Sequence, residues 1–78
     1  MAVKAYILIE TAPGQVAQAL QGVRNVCGVT AADAVTGPYD LIAVAEADDL
    51  KTLGETVVNK IQAVAGVERT LTSVTVEL

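Results

Sequence analysis

The stretch Thr36-Gly37-Pro38-Tyr39-Asp40-Leu41-Ile42-Ala43-Val44-Ala45-Glu46 sits at mid-chain and limits what the chain can become. Gly37 supplies backbone freedom and Pro38 fixes φ, so the segment opens with a tight turn. The residues after it are short, apolar and partly β-branched, which suits a strand in the middle of a sheet. The segments on either side resemble each other. Each has an apolar strand followed by a helical pattern, and then a small residue followed by Gly-Val, at Cys27-Gly28-Val29 and Ala65-Gly66-Val67. The turn is therefore the expected hinge between two similar halves.

Seventy-eight residues are expected to form one small domain spanning 1–78. A domain of this size often needs disulfides, metal or association for stability. Cys27 is the only cysteine, so no disulfide can form within the chain, and histidine is absent, which removes a His general base and any His-ligated metal. Neither metal nor cofactor is expected, and association remains as the stabiliser. A single free thiol suits a reducing compartment, and the N-terminal Met1-Ala2-Val3-Lys4 lacks signal-peptide layout, so a cytoplasmic location is expected. No apolar run approaches membrane-spanning length. Net charge is −4 and the five basic residues are scattered, so there is no Lys/Arg cluster to replace phosphate counterions. Direct binding to nucleic acid or membrane is not expected.

Along the chain, Val3 to Glu10 reads as a strand, with Val3, Ala5, Ile7 and Ile9 on one face and Lys4, Tyr6, Leu8 and Glu10 on the other. A helix is expected from Pro13 to about Asn25, capped by Thr11 or Ala12, with Val16, Ala19, Leu20 and Val23 as its apolar stripe. A second strand follows over Gly28 to Val35, and Asp33 within it marks an edge strand or a partly wet face. The third strand is Tyr39 to Ala45. The second helix opens at Ala47 or Asp48 and buries Leu50, Leu53, Val57, Ile61 and Val64; Gly54 inside it is expected to admit a close neighbour. The last strand is expected from Val67 to Leu78.

This order, β-α-β-β-α-β, is the split β-α-β or ferredoxin-like pattern of the α+β class. Right-handed crossovers place both helices on one face of a four-stranded antiparallel sheet, with the first and third strands central. A sheet with one wet face should alternate cleanly between apolar and polar residues. Here both rows of the first, third and fourth strands hold apolar side chains. The second face is therefore expected to pack on another copy, as in a dimeric α+β barrel.

Among residues with chemical potential, Cys27 lacks a histidine to activate it and reads as a small buried residue. Gly37-Pro38-Tyr39-Asp40 is either a turn closed by an aspartate or a loop that binds a small zwitterion, with the carboxylate on an ammonium group and backbone N–H groups or hydroxyls on a carboxylate. Thr70, Thr72, Ser73 and Thr75 are possible hydroxyl donors, and are equally ordinary strand residues.

Thr36-Gly37-Pro38-Tyr39-Asp40-Leu41-Ile42-Ala43-Val44, a helix ending in Ile61, and Gly66-Val67-Glu68-Arg69-Thr70-Leu71-Thr72 together resemble the C-terminal domain of the Lrp/AsnC transcriptional regulators, the RAM domain. The resemblance covers essentially the whole chain. It implies a ferredoxin-like domain that forms homodimers through its sheet, assembles further into oligomers of dimers, and binds an amino-acid effector between dimers. Matched by position, the ligand residues are Gly37, Tyr39 and Asp40 in the loop and Glu68, Thr70 and Thr72 on the last strand, Glu68 carrying a charge where the family has other polar residues. Regulators of the family carry an N-terminal helix-turn-helix domain, and nothing precedes the first strand here. The expected role is a stand-alone, non-enzymatic amino-acid-binding and oligomerisation module, acting alone or co-assembled with full-length regulators. Two rival readings are a small ferredoxin-like enzyme of monooxygenase or isomerase type and a structural adaptor without ligand.

Overall fold

The computed structural model describes residues 2–78. Strand β1 (Val3–Thr11) leads into helix α1 (Val16–Arg24), then edge strand β2 (Val29–Ala34) and strand β3 (Leu41–Ala47). A second helix, α2, covers 50–62, and strand β4 (Val67–Val74) closes the sheet. The strand order is β2-β3-β1-β4 and every pairing is antiparallel. The expected α+β topology is present, with β1 and β3 central.

The β1–β3 register explains the core. Ala5 pairs with Ala45, Ile7 with Ala43 and Ile9 with Leu41, and all six are fully buried. Paired residues share a face of the sheet. Ala19 and Val23 of α1, and Leu53, Val57 and Ile61 of α2, cover this face. Full burial of each large aliphatic side chain here contributes about 1.5–3 kcal/mol.

The other face is built from the alternate row. Tyr6 pairs with Val44, and Leu8 lies between Ile42 and Leu71. Among the described residues no element covers them: Tyr6 is 42% and Leu71 52% exposed, and Leu8, Ile42 and Val44 are half-buried within the sheet itself. Charged pairs sit at the ends of the face, Lys4 opposite Glu46 and Glu10 bonded to Arg69 at 3.2 Å.

The two halves repeat in detail. The β2–β3 ladder runs Val29–Ala45, Ala31–Val44, Ala32–Ala43, Asp33–Ile42 and Ala34–Leu41. The β4–β1 ladder takes the same steps, Val67–Thr11, Arg69–Glu10, Thr70–Ile9, Leu71–Leu8 and Thr72–Ile7. Even the β-bulge recurs, with Thr30 and Glu68 as the extra residues. After each helix the chain turns identically: Val26 N–H donates to Val23 and Val64 N–H to Ile61, and the carbonyls of Gly28 and Gly66 accept from Glu46 and Ala12. Gly28 and Gly66 hold φ of +102° and +94°, a region that penalises any Cβ. Leu8 and Ile42 are equivalent in the repeat and pair with each other, so the approximate twofold passes between them on the uncovered face.

Several local expectations are corrected. Helix α1 starts at Val16 rather than Pro13; Pro13-Gly14 forms a turn, and Thr11 belongs to β1. Leu50 lies on the first turn of α2 beyond the sheet and is 60% exposed, so it is not part of the buried stripe. Gly54 has no neighbour within 4 Å of its would-be Cβ and lies in a π-helical stretch, Leu53–Val58, where the Asn59 amide donates to the Glu55 carbonyl at 2.7 Å. Cys27 is exposed on the α1–β2 turn, not buried. Strand β4 ends at Val74, opposite Ala5, rather than continuing to Leu78; beyond it Thr75 donates its N–H and hydroxyl to the Lys4 carbonyl at 2.9 and 3.0 Å.

Two outcomes follow from this frame. Gly28→Ala and Gly66→Ala each lower stability by at least about 1–2 kcal/mol, because the positive φ strains a Cβ and the new methyl also crowds Val57 in the first case and Gln15 and Ala19 in the second, read as a drop in denaturation midpoint with unchanged slope. Asp49 caps α2, its carboxylate accepting from Thr52 N–H at 2.7 Å, and the Thr52 backbone and hydroxyl hydrogen bonds hold its pKa below the ordinary 3.8. A depressed folded-state pKa adds stability above the unfolded value and loses it as pH falls through the folded one. NMR titration of the Asp49 carboxyl should show a midpoint below 3.8, and Asp49→Ala should narrow the stability difference between neutral and strongly acidic pH.

Candidate functional site

The loop 35–40 joins the two halves at the end of the sheet where β1 finishes. Its backbone is tied at both sides of Asp40: Asp40 N–H donates to Ile9 at 2.9 Å, and Val35 N–H donates to the Asp40 carbonyl at 2.9 Å. The Asp40 carboxylate accepts twice from Thr11 through Oδ2, from the backbone N–H at 2.8 Å and from the hydroxyl at 3.2 Å. Thr11 is buried, so these bonds satisfy polar groups that water reaches poorly. Asp40 thus fastens the end of β1 to the start of β3, and its Oδ1 takes no part in these bonds.

Between these ties the loop projects outwards. Gly37 adopts φ of +118° with open space around it, Pro38 is exposed, and Tyr39 is half-buried. The positive φ is what requires glycine at this point of the turn.

The β4 residues lie across β1 from this loop. Thr70 pairs with Ile9 and Thr72 with Ile7, so both hydroxyl-bearing side chains are on the helix-covered side, along the margin that the helices leave half-open. The Thr70 hydroxyl accepts from the Gln62 amide at 3.0 Å. Glu68 is the bulge residue and is exposed. Gly37, Tyr39, Asp40, Glu68 and Thr70 therefore gather at one end of the sheet, with Thr72 two residues further in. Two strand spacings, roughly 10 Å, separate the β3 and β4 sides. Among the described residues no hydrogen bond joins the loop to Glu68, Thr70 or Thr72. Within one chain the six residues form two flanks rather than a closed site.

Sequence reasoning did not find the Thr11–Asp40 bonds or the Gln62–Thr70 bond. Thr11 carries an ordinary helix-cap pattern with Pro13, and only the β1–β3 register shows that it faces Asp40 instead. No described helix is long and apolar enough to cross a membrane.

The profile of the Lrp/AsnC ligand binding domain matches residues 4–77. Among solved structures, the chain is similar to TTHA0845 from Thermus thermophilus, at 30% identity and a TM-score of 0.88, over 97% of this chain and 95% of that one. It is similar to AsnC from E. coli at 23% identity and a TM-score of 0.87, over 97% of this chain and 52% of that one. It is also similar to the transcriptional regulator NMB0573 from Neisseria meningitidis, solved as an L-Met complex, at 19% identity and a TM-score of 0.82, over 96% of this chain and 50% of that one. Among curated proteins no sequence matches. With the ferredoxin-like topology, the mid-chain loop and a family profile that spans nearly all of its residues, the chain belongs to the Lrp/AsnC ligand-binding domain family.

Proposed function

We propose that this chain is a non-enzymatic, amino-acid-binding oligomerisation module that acts by assembly in the cytoplasm, alone or together with full-length Lrp/AsnC regulators. The observation that carries this reading is the uncovered sheet face. Tyr6, Leu8, Ile42, Val44 and Leu71 form a contiguous apolar centre, and Lys4, Glu46, Glu10 and Arg69 form a charged margin. An apolar centre with a polar rim is the anatomy of a protein–protein interface. A second copy presenting the same face satisfies it isologously.

The ligand site of this reading is completed by assembly. Gly37, Tyr39 and Asp40 on one flank and Glu68, Thr70 and Thr72 on the other remain apart within a chain, and a neighbouring copy supplies the missing wall. The free Oδ1 of Asp40 suits an ammonium group, the open backbone around Gly37 and the threonine hydroxyls suit a carboxylate, and Tyr39 supplies an apolar ring. Support for an amino acid comes from the family and from the regulator NMB0573, whose structure holds L-Met. A ligand bound between copies favours the assembled state by its difference in affinity for the two states.

Light scattering on a sizing column should give at least twice the 8.0 kDa chain mass, and Leu8→Glu, which places a charge at the middle of the uncovered face, should give the single-chain mass. Calorimetric titration with the common amino acids should identify one or more ligands. Tyr39→Ala should weaken that binding about tenfold while leaving the fold intact. Asp40→Ala should in addition cost about 1–3 kcal/mol of stability, because Thr11 loses its acceptor. A protein that stays single-chain, or that binds no amino acid, refutes the corresponding half of the reading.

A further inference from the structure

The two edges of the sheet, β2 and β4, are finished differently. On β2 the Arg24 guanidinium reaches the edge, beside a shallow cavity, and donates its Nε–H to the Ala32 carbonyl at 3.0 Å. The charge of Asp33 follows on the same strand. An occupied carbonyl and charged side chains keep an edge from pairing with another strand. On β4 the corresponding bond goes to a side chain, from the Gln62 amide to the Thr70 hydroxyl at 3.0 Å, and the backbone stays clear.

In an antiparallel pair, successive residues turn their backbone groups alternately towards and away from the partner strand. Thr75 N–H points inwards, to the Lys4 carbonyl at 2.9 Å, so Ser73 and Leu71 point inwards too. Thr70, Thr72 and Val74 turn theirs outwards, as does Val76 where the chain continues extended. Among the described residues none of these four has a backbone partner on that side. The run Thr70-Leu71-Thr72-Ser73-Val74-Thr75-Val76 holds no charge, Pro or Gly and is rich in β-branched residues. Val74 is 41% and Val76 77% exposed, so the run also carries apolar surface that nothing in the chain hides.

We propose that this edge pairs antiparallel with the same edge of a second copy, about a twofold axis through Ser73, so that the sheet of one chain continues into the next. Charge sets the register. With Ser73 opposite itself, Arg69 of each copy lies opposite Glu77 of the other, on the same side of the sheet, at both ends of the contact. Arg69 bonds Glu10 through Nη2, and its remaining nitrogens are available to Glu77. Thr72 then meets Val74 and Thr70 meets Val76 as hydrogen-bonded pairs, and the two exposed valines are covered. An axis through Thr72 would set Glu77 against Val67 and Arg69 against Thr75. An axis between two residues would set inward-facing backbone groups against outward-facing ones.

A contact of this length buries less surface than a stable dimer needs, so the edge by itself joins copies weakly. It leaves the bare face open and adds to face pairing rather than competing with it. Copies held by both contacts gain by avidity, and pairs grow into assemblies of four chains or more. Only this last step rests on the face pairing proposed above.

The test is disulfide trapping in the full chain carrying Cys27→Ser, which removes the native thiol. Ser73→Cys places two thiols opposite each other at the axis, in a non-hydrogen-bonded pair with Cα atoms about 4.5 Å apart, within disulfide reach. Mild oxidation should give a covalent two-chain species, also when Leu8→Glu blocks the face. Leu71→Cys, opposite Thr75 in this register, should not be trapped. Val74→Pro removes an outward N–H without touching a bond to β1 and should abolish trapping. Glu77→Lys, at an exposed residue, should slow trapping about tenfold. Trapping that disappears with Leu8→Glu assigns the contact to the face and overturns the edge contact. Equal trapping at Leu71→Cys overturns it as well, as does trapping undiminished by Val74→Pro and Glu77→Lys. Should Val74→Pro lower the melting temperature, Glu77→Lys alone decides. Trapping in the Leu8→Glu chain reads the edge alone, so its result stands whether or not the face associates.

Discussion

The antiparallel pairing of β1 with β3 is the contact on which the rest of this molecule depends. It stacks Ala5, Ile7 and Ile9 against Ala45, Ala43 and Leu41 on one side, and Tyr6 and Leu8 against Val44 and Ile42 on the other. A slip of one residue in either strand would exchange the two rows. Both rows are apolar, so hydrophobicity alone penalises that slip less than in a half-wet sheet. The register is reinforced from outside the row pattern: Asp40 bonds Thr11 and Ile9 at one end, and the Gly28 carbonyl bonds Glu46 at the other. Polar ties at the strand ends do the positioning that a clean apolar–polar alternation would otherwise provide.

The same pairing gives the fold its approximate twofold. Leu8 and Ile42 lie opposite each other at its centre, and the bulges at Thr30 and Glu68, the turns at Gly28 and Gly66, and the helix-to-strand bonds of Arg24 and Gln62 all occur in related pairs. Helix α2 breaks the match, being longer than α1 and containing the π-helical stretch Leu53–Val58. A repeat with unequal side chains is a natural way to obtain distinct surfaces from one scaffold. Leu71 makes the β4 side of the uncovered face apolar, while Asp33 makes the β2 side acidic. Arg24 opens a polar cavity where Gln62 and Thr70 close one.

Coverage of the sheet decides where function resides. Two helices cover one side, and the described residues form no further element for the other. In the proposed function, a neighbouring copy covers the apolar residues there and completes the ligand flanks at the sheet end. In this reading the bare face drives assembly, and the ligand flanks at the sheet end lie apart from it, Thr70 and Thr72 being on the helix-covered side.

The element order and the two rows of β1 were legible in the sequence, as Val3, Ala5, Ile7 and Ile9 form an uninterrupted apolar row against Lys4, Tyr6, Leu8 and Glu10, and Asp33 marks β2 as an edge. The family resemblance was legible too, since it rests on local residues around Gly37 and Gly66. What failed was local chemistry with distant partners. Thr11-x-Pro13 has the pattern of a helix start, yet Thr11 serves Asp40 across the sheet. Leu50 continues an apolar stripe but lies past the sheet it would have covered, and Cys27, small and next to glycine, faces solvent. Periodicity and turn chemistry are properties of neighbours in the chain, so the sequence determined the elements, their order and the excess of apolar surface. Register and burial depend on which residues meet across strands, so only the tertiary structure decided that Asp40 is a fastening, that Tyr6, Leu8, Ile42, Val44 and Leu71 share the bare side, and that Arg24 stands beside an open cavity.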